Sequence, residues 1–156
     1  MNHKYPFLIA FVVFLVFIAG YIGINDNRIT GASVVETVKE RTVNIDKLEI
    51  YHFHGTHQCY SCITVGQYAE ETVNAYFADE MKSGRIVFGH INGELPENRD
   101  LVAKYGVTSA SLWLGTYAKD GRFSAEQNIN VWYKIDNKEA YMIYLKGVIE
   151  QKLAGN

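Results

Sequence analysis

The hydrophobic pattern of this chain changes character after its first segment. Phe7 to Ile24 reads FLIAFVVFLVFIAGYIGI, without one charged side chain. At about 1.5 Å per residue such a helix spans roughly 27 Å, close to the hydrocarbon thickness of a bilayer. A buried core helix would keep a polar face, and this run has none, so residues 7–24 are expected to form a transmembrane helix. Lys4 and the α-amine precede it, while Asp26 and Arg28 behind it cancel. That bias predicts a cytoplasmic tail over residues 1–6 and everything after Asn25 on the extracytoplasmic side, a single-pass topology. The run is longer than the apolar core of a signal peptide, and no A-x-A-like site closes it, which favours a retained anchor. Asn25 to Ser33 (NDNRITGAS) is small and polar, and residues 25–46 read as linker and lead-in.

Beyond the lead-in the pattern alternates between strand and helix periods. Leu48 to His54 (LEIYHFH) predicts a strand with Leu48 and Ile50 on one face and Tyr51 and Phe53 on the other. Gly55 and Thr56 interrupt it. A long helix is expected to start near the two cysteines, with Val65, Ala69, Thr72, Val73, Tyr76 and Phe77 at helical spacing and Ser83-Gly84 as its stop. Arg85 to Asn92 (RIVFGHIN) is apolar on both faces, which predicts a central strand. Pro96 to Tyr105 predicts a short helix ended by Gly106, and Ser111 to Ala118 a strand turned at Lys119-Asp120-Gly121-Arg122 toward a partner in Phe123 to Ile129. Asp136-Asn137-Lys138-Glu139 resembles a capping box, opening a helix with the stripe Tyr141, Tyr144, Leu145, Val148, Ile149 and Leu153. This order predicts an α/β domain over residues 47–156: a mixed sheet, helices on both faces, its first crossover parallel and right-handed and its last strand pair antiparallel.

Composition narrows the function. The chain has 156 residues, 48% of them apolar, which suits one domain plus an appendage. The formal net charge is −2, and no cluster of Lys and Arg occurs. Nucleic acid is therefore not an expected partner, because that binding draws on phosphate neutralisation.

The chemistry concentrates at Cys59-Tyr60-Ser61-Cys62, which holds the chain's two cysteines. At a helix start this C-x-x-C spacing puts both sulfurs within disulfide reach, and the helix dipole with its free N–H groups stabilises the first thiolate. A thiolate is the attacking species in thiol–disulfide exchange. A static disulfide is the competing reading, but a bridge closing so short a loop removes little unfolded-state entropy.

These residues and their surroundings resemble the thioredoxin superfamily over roughly Lys47 to Leu153. The run RIVFGHINGELPENRDLVAKYGVTSASLWL is similar to its second strand, connecting helix and third strand, with Ala103 to Val107 the nearest stretch. The motif HFHGTHQCYSC also resembles the small ArsF-type group of thioredoxin-fold proteins, nominally subunits of a nitrophenyl-compound reductase. The resemblance implies a thioredoxin-like fold, Cys59 as attacking thiol and Cys62 as resolving thiol. No glycine motif that would cradle a flavin or nicotinamide phosphate occurs, so no cofactor beyond the redox-active disulfide is expected. Two positions depart from the superfamily: Ser111 stands where a cis-proline is usual, and Phe53 stands where many members bury an acid.

Three histidines crowd the motif. His52 and His54 share one face of the first strand, while His57 lies in the loop. In the plain reading His52 is a hydrogen-bonded core residue and the others are solvent-facing loop histidines; in a functional one, His57 is best placed to act as a cation lowering the Cys59 pKa. Alternatively, His54, His57, Cys59 and Cys62 form an H-x-x-H-x-C-x-x-C set suited to zinc or copper. His90, on the second strand, has no evident partner. Tyr60 and Trp113 are candidate client contacts, although Trp113 also fits a core position. The leading expectation is a membrane-anchored thiol–disulfide oxidoreductase acting on protein thiol and disulfide clients. A zinc- or copper-binding delivery module and a redox-inert interaction domain remain the alternatives.

Overall fold

The computed structural model describes residues 44–155. The expected tail, anchor and most of the lead-in lie outside these residues; among the described residues, no helix is long and apolar enough to cross a membrane.

Four strands form one sheet: β1 (Ile45–His54), β2 (Ile86–Asn92), β3 (Ser111–Ala118) and β4 (Phe123–Gln127), in the order β2-β1-β3-β4. β1 pairs with β2 in parallel and with β3 antiparallel, and β4 closes the far edge against β3. The helices are α1 (Tyr60–Tyr76), α2 (Ala78–Ser83), α3 (Arg99–Tyr105) and α4 (Lys138–Leu153), with short 3-10 segments at Pro96–Asn98 and Ile129–Lys134.

The alternation along β1 builds two cores. Leu48 and Ile50 point to one side, where Val65, Ala69 and Val73 of α1 and Tyr141, Leu145 and Ile149 of α4 close over them with Leu112 and Leu114. Phe53, on the other side, packs with Tyr105 and Trp113 under Leu101 and Val102 of α3. Helices thus cover both faces, as expected. Tyr141 also donates from its buried hydroxyl to the Val65 carbonyl at 2.7 Å, tying α4 to α1.

Three details differ from the sequence expectation. β2 is an edge strand; β1 and β3 are the central ones, and β2 keeps only Ile86 fully buried. Its apolar pattern covers the flanks of helices without a second neighbouring strand. The long helix is divided at Phe77, whose φ of −135° leaves the helical region while its ring stays buried. The cap of α4 is Asn137, accepting from the Ala140 N–H at 3.0 Å, one residue later than a box opened by Asp136. Gly106 and Gly84 end their helices at φ of 67° and 77°, a region in which a Cβ is strained.

At the end of the sheet away from the cysteines, Glu49 is buried among donors. Lys47 Nζ at 2.7 Å and the hydroxyls of Tyr105 and Tyr117, each at 2.8 Å, bind its carboxylate. Burial alone would raise this carboxyl, but the Lys47, Tyr117 and Tyr105 hydrogen bonds and the Lys47 charge outweigh it and hold it below the ordinary value. Gly115 makes this possible, because a Cβ there would lie 2.0 Å from the Tyr105 hydroxyl oxygen.

Candidate active site

β1 ends at His54, and the chain turns through Gly55 to Gln58 into α1. Cys59 is the N-cap of α1, with extended backbone (φ −77°, ψ 164°), and its sulfur accepts from the Cys62 N–H at 3.3 Å. A cap position normally belongs to a short oxygen side chain; here a sulfur takes it, so a first-turn N–H of the helix serves the thiolate. The two sulfurs lie 2.8 Å apart as free thiols, Cys59 exposed and Cys62 half-buried.

The environment separates the two thiols. Cys59 is drawn below its ordinary pKa by the hydrogen bond with the Cys62 thiol and by the backbone N–H of Cys62, with Ser61 adding to them. Cys62 is pushed up, first by burial and then by the hydrogen bond it gives Cys59. One sulfur is thus accessible and inclined to ionise, while its neighbour is recessed and keeps its proton.

Of the histidines, His52 is the buried, hydrogen-bonded core residue expected, and His57 faces solvent in the loop. The charge of His57 acts on Glu94, whose carboxyl is lowered first by the Thr56 N–H and then in part by His57 and His54. The Glu94 carboxylate accepts from Thr56 N at 3.0 Å and fixes the turn before the cysteines. His54 bonds the Gly55 carbonyl through Nδ1 at 2.9 Å and stacks on His52, with ring centroids 5.3 Å apart. Among the described residues, no group of three or more His, Cys, Asp or Glu is arranged to hold a metal ion. The His54, His57, Cys59 and Cys62 set is therefore not assembled as a zinc or copper site.

The histidine that His52 meets is His90. Parallel register sets the two side by side on β1 and β2, their Nδ1 atoms 3.1 Å apart. His52 is fully buried, and its pKa falls to about 4, chiefly through burial, then through His90 and His54; the Cys62 backbone pulls weakly the other way. His90 is exposed at the sheet edge, where its Nε2 lies 3.4 Å from Glu70 Oε2 of α1. Neither His90 nor Glu70 was expected here. The available signal was the strand pairing, since equal distances from aligned strand starts put both histidines on one face.

Ser111 opens β3, fully buried opposite Phe53, and its hydroxyl accepts from the Trp132 indole N–H at 3.1 Å. The hydroxyl thereby holds the 3-10 segment that packs on α1 and β3. Among the described residues no peptide bond is cis. Trp113 is core, with 8% exposure, whereas Tyr60, between the cysteines, is 81% exposed.

A four-stranded sheet in the order β2-β1-β3-β4, with β3 alone running against the others and a C-x-x-C at the helix after β1, has thioredoxin-like topology. No protein-family model matches the sequence, and no curated protein matches it. Among solved structures the chain is similar to the Trx4 domain of ERdj5, at 15% identity with a TM-score of 0.44, over 74% of this chain and 91% of that one. So distant a likeness says nothing about chemistry.

Proposed function

We propose that the protein is a thiol–disulfide oxidoreductase that exchanges disulfides with protein clients, held in the membrane by residues 7–24 with its domain on the extracytoplasmic side. The observation that carries this reading is the asymmetry of the pair: Cys59 is an exposed helix cap with a lowered pKa, and Cys62 is recessed with a raised one. In the reducing direction the Cys59 thiolate attacks a client disulfide and forms a mixed disulfide, releasing one client thiolate. Cys62 then loses its proton and attacks the Cys59 sulfur; the Cys59–Cys62 disulfide forms and the second client thiolate leaves. The oxidising direction reverses these steps. The exposed Tyr60 and Ile63 flank the attacking sulfur and offer apolar contact to a client chain. Ser111 supports the site indirectly, by holding Trp132 and the segment that carries the exposed Ile129 and Tyr133. The ArsF-type likeness of the HFHGTHQCYSC motif is taken as one of fold and thiol chemistry, without nitroreduction.

The test is trapping. Cys62→Ser should accumulate mixed disulfides through Cys59, visible as reducible higher-mass species, and Cys59→Ser should accumulate none. The opposite pattern reverses the roles; no adduct from either, with no exchange by the wild type, removes the oxidoreductase reading. Protease added to intact cells should digest the domain; digestion only after the membrane is opened contradicts the proposed orientation.

A further inference from the structure

The loop between β1 and α1 leaves a space open beside it. A cavity of about 230 Å³ is bounded by that loop at Gly55, by Gly93 and Glu94 after β2, and by Thr108 to Ala110 before β3. Phe53 is fully buried and Val102 and Val107 are half-buried, so these three form its inner wall, while Glu94, Thr108 and Ser109 are exposed at its mouth. The cavity belongs to the cysteine end of the sheet: Phe53 pairs with Ser111, so the end of β1 and the residues before β3 meet there. Gly55 precedes Cys59 by four residues, a reach of at most about 14 Å. An extended client chain covers that distance in about four residues. A side chain that close to the client's cysteine therefore has the reach to enter the cavity while Cys59 attacks.

Glu94 decides what kind of side chain fits. Its Oε2 accepts from the Thr56 N–H at 3.0 Å, and its own N–H goes to Asn92 Oδ1 at 3.1 Å, so the carboxylate is held in place although it is exposed. Asn92 also donates to the Thr56 hydroxyl at 3.0 Å, which closes the clamp. Gly55 lets the carboxylate lie across the loop, because a Cβ there would sit 2.8 Å from Glu94 Oε1. The Thr56 hydrogen bonds keep this carboxyl below its ordinary pKa, and the charges of His57 and His54 contribute least. Among the described residues no Lys, Arg or His makes an ion pair with Glu94. An apolar or anionic side chain entering the cavity would strip water from the carboxylate and give nothing back. A side chain with an apolar stem and a cationic head suits both parts: the stem lies on Phe53, Val102 and Val107, and the head meets Glu94.

We propose that this cavity is a client subsite for a lysine or arginine side chain within four residues of the client's reactive cysteine, with Glu94 as its specificity-determining residue. The inference rests on the oxidoreductase reading of Cys59 and Cys62 and adds a substrate class to it: disulfides set in basic sequence. No bond is made or broken in the cavity. Its ion pair holds the client chain while Cys59 attacks, and so favours capture of basic clients over neutral or acidic ones.

The test uses the reduced full-length protein in a neutral detergent and disulfide-linked dimers of short peptides. Each peptide carries one cysteine and, two, three or four residues to either side of it, a single lysine, leucine or glutamate. The readout is the ratio of reduction rates for lysine and leucine peptides within one variant, so any effect on the thiols themselves cancels. Wild type should favour lysine by about fivefold at the best position, and the preference should shrink in high salt. Glu94→Gln keeps an acceptor for the Thr56 N–H and removes the charge, so the preference should disappear. Glu94→Lys should reverse it, making the glutamate peptides the fastest; a merely structural role for Glu94 would produce no such reversal. A wild type indifferent to lysine at every position, or a lysine preference that survives in both variants, overturns the subsite while the oxidoreductase reading stands, since the peptides are still reduced. A wild type that reduces no peptide removes both.

Discussion

Gly115→Ala should be among the most damaging single-methyl changes in this domain, through a residue on another element. The added Cβ would lie 2.0 Å from the Tyr105 hydroxyl oxygen, 2.7 Å from its ring carbon and 3.0 Å from Phe123, where ordinary contact starts near 3.4 Å. Tyr105 is buried and cannot swing into solvent, so it has to retreat from Glu49, which its hydroxyl holds at 2.8 Å. Losing a hydrogen bond to a charged group costs about 1.5–3 kcal/mol. Overpacking adds about 1–3 kcal/mol, and the stiffer unfolded chain returns about 0.4–1 kcal/mol. The net loss is about 2–5 kcal/mol, or roughly 1–2 M in the urea midpoint. Unfolding is followed by tryptophan emission, because Trp113 packs against Tyr105 with ring centroids 6.5 Å apart. The mechanism is specific enough to demand coupling. In a Tyr105→Phe background the hydrogen bond is already absent, so Gly115→Ala should cost about 1–2 kcal/mol less there than in wild type. Additive losses in the double variant would refute the idea that Gly115 exists to admit the Tyr105 hydroxyl.

Two further outcomes follow from the same side-chain environments. His57→Ala should leave the pH dependence of Cys59 alkylation almost unchanged, because Cys62 and the first-turn N–H groups lower that thiol; a clear alkaline displacement would restore His57 as its cation. Glu49 has a folded pKa below its ordinary 4.5, so its stabilising contribution is complete above that value and is lost as pH falls through the lower, folded one. Urea midpoints should therefore drop on acidification below about pH 4.5, and the drop should be smaller in Glu49→Gln; equal drops would show that the carboxylate is not a source of acid lability.

Much of the fold was legible because it follows from periodicity. The alternation of Leu48, Ile50, Tyr51 and Phe53 assigns the two cores correctly, and the stripe from Tyr141 to Leu153 places α4. Position within the sheet was not legible in this way. Arg85 to Asn92 reads as central because its apolar residues face helices, but an edge strand under helices has the same pattern. The break at Phe77 was hidden because its ring stays in the stripe while its backbone leaves the helix. At the site, Cys59 and Cys62 declare themselves by spacing, since helix geometry fixes their distance. The partnership of His52 and His90 depends on register between strands joined by a long crossover, and neither residue's neighbours in sequence encode it.

The central place of β1 has a consequence for how the protein is made. A chain synthesised from its N-terminus presents β1, then both thiols, before any of its strand partners. The β3–β4 hairpin can close locally within microseconds once made, but β1 must wait for β2 on one side and for β3, the more distant in sequence, on the other. Until that insertion Cys62 lacks the burial that sets it apart from Cys59, and either thiol can be oxidised or attacked first. The division of labour between the two sulfurs is thus acquired late, with the completed sheet. An early disulfide between them does little harm, because a bridge two residues apart restrains so little of the chain that β1 remains free to insert.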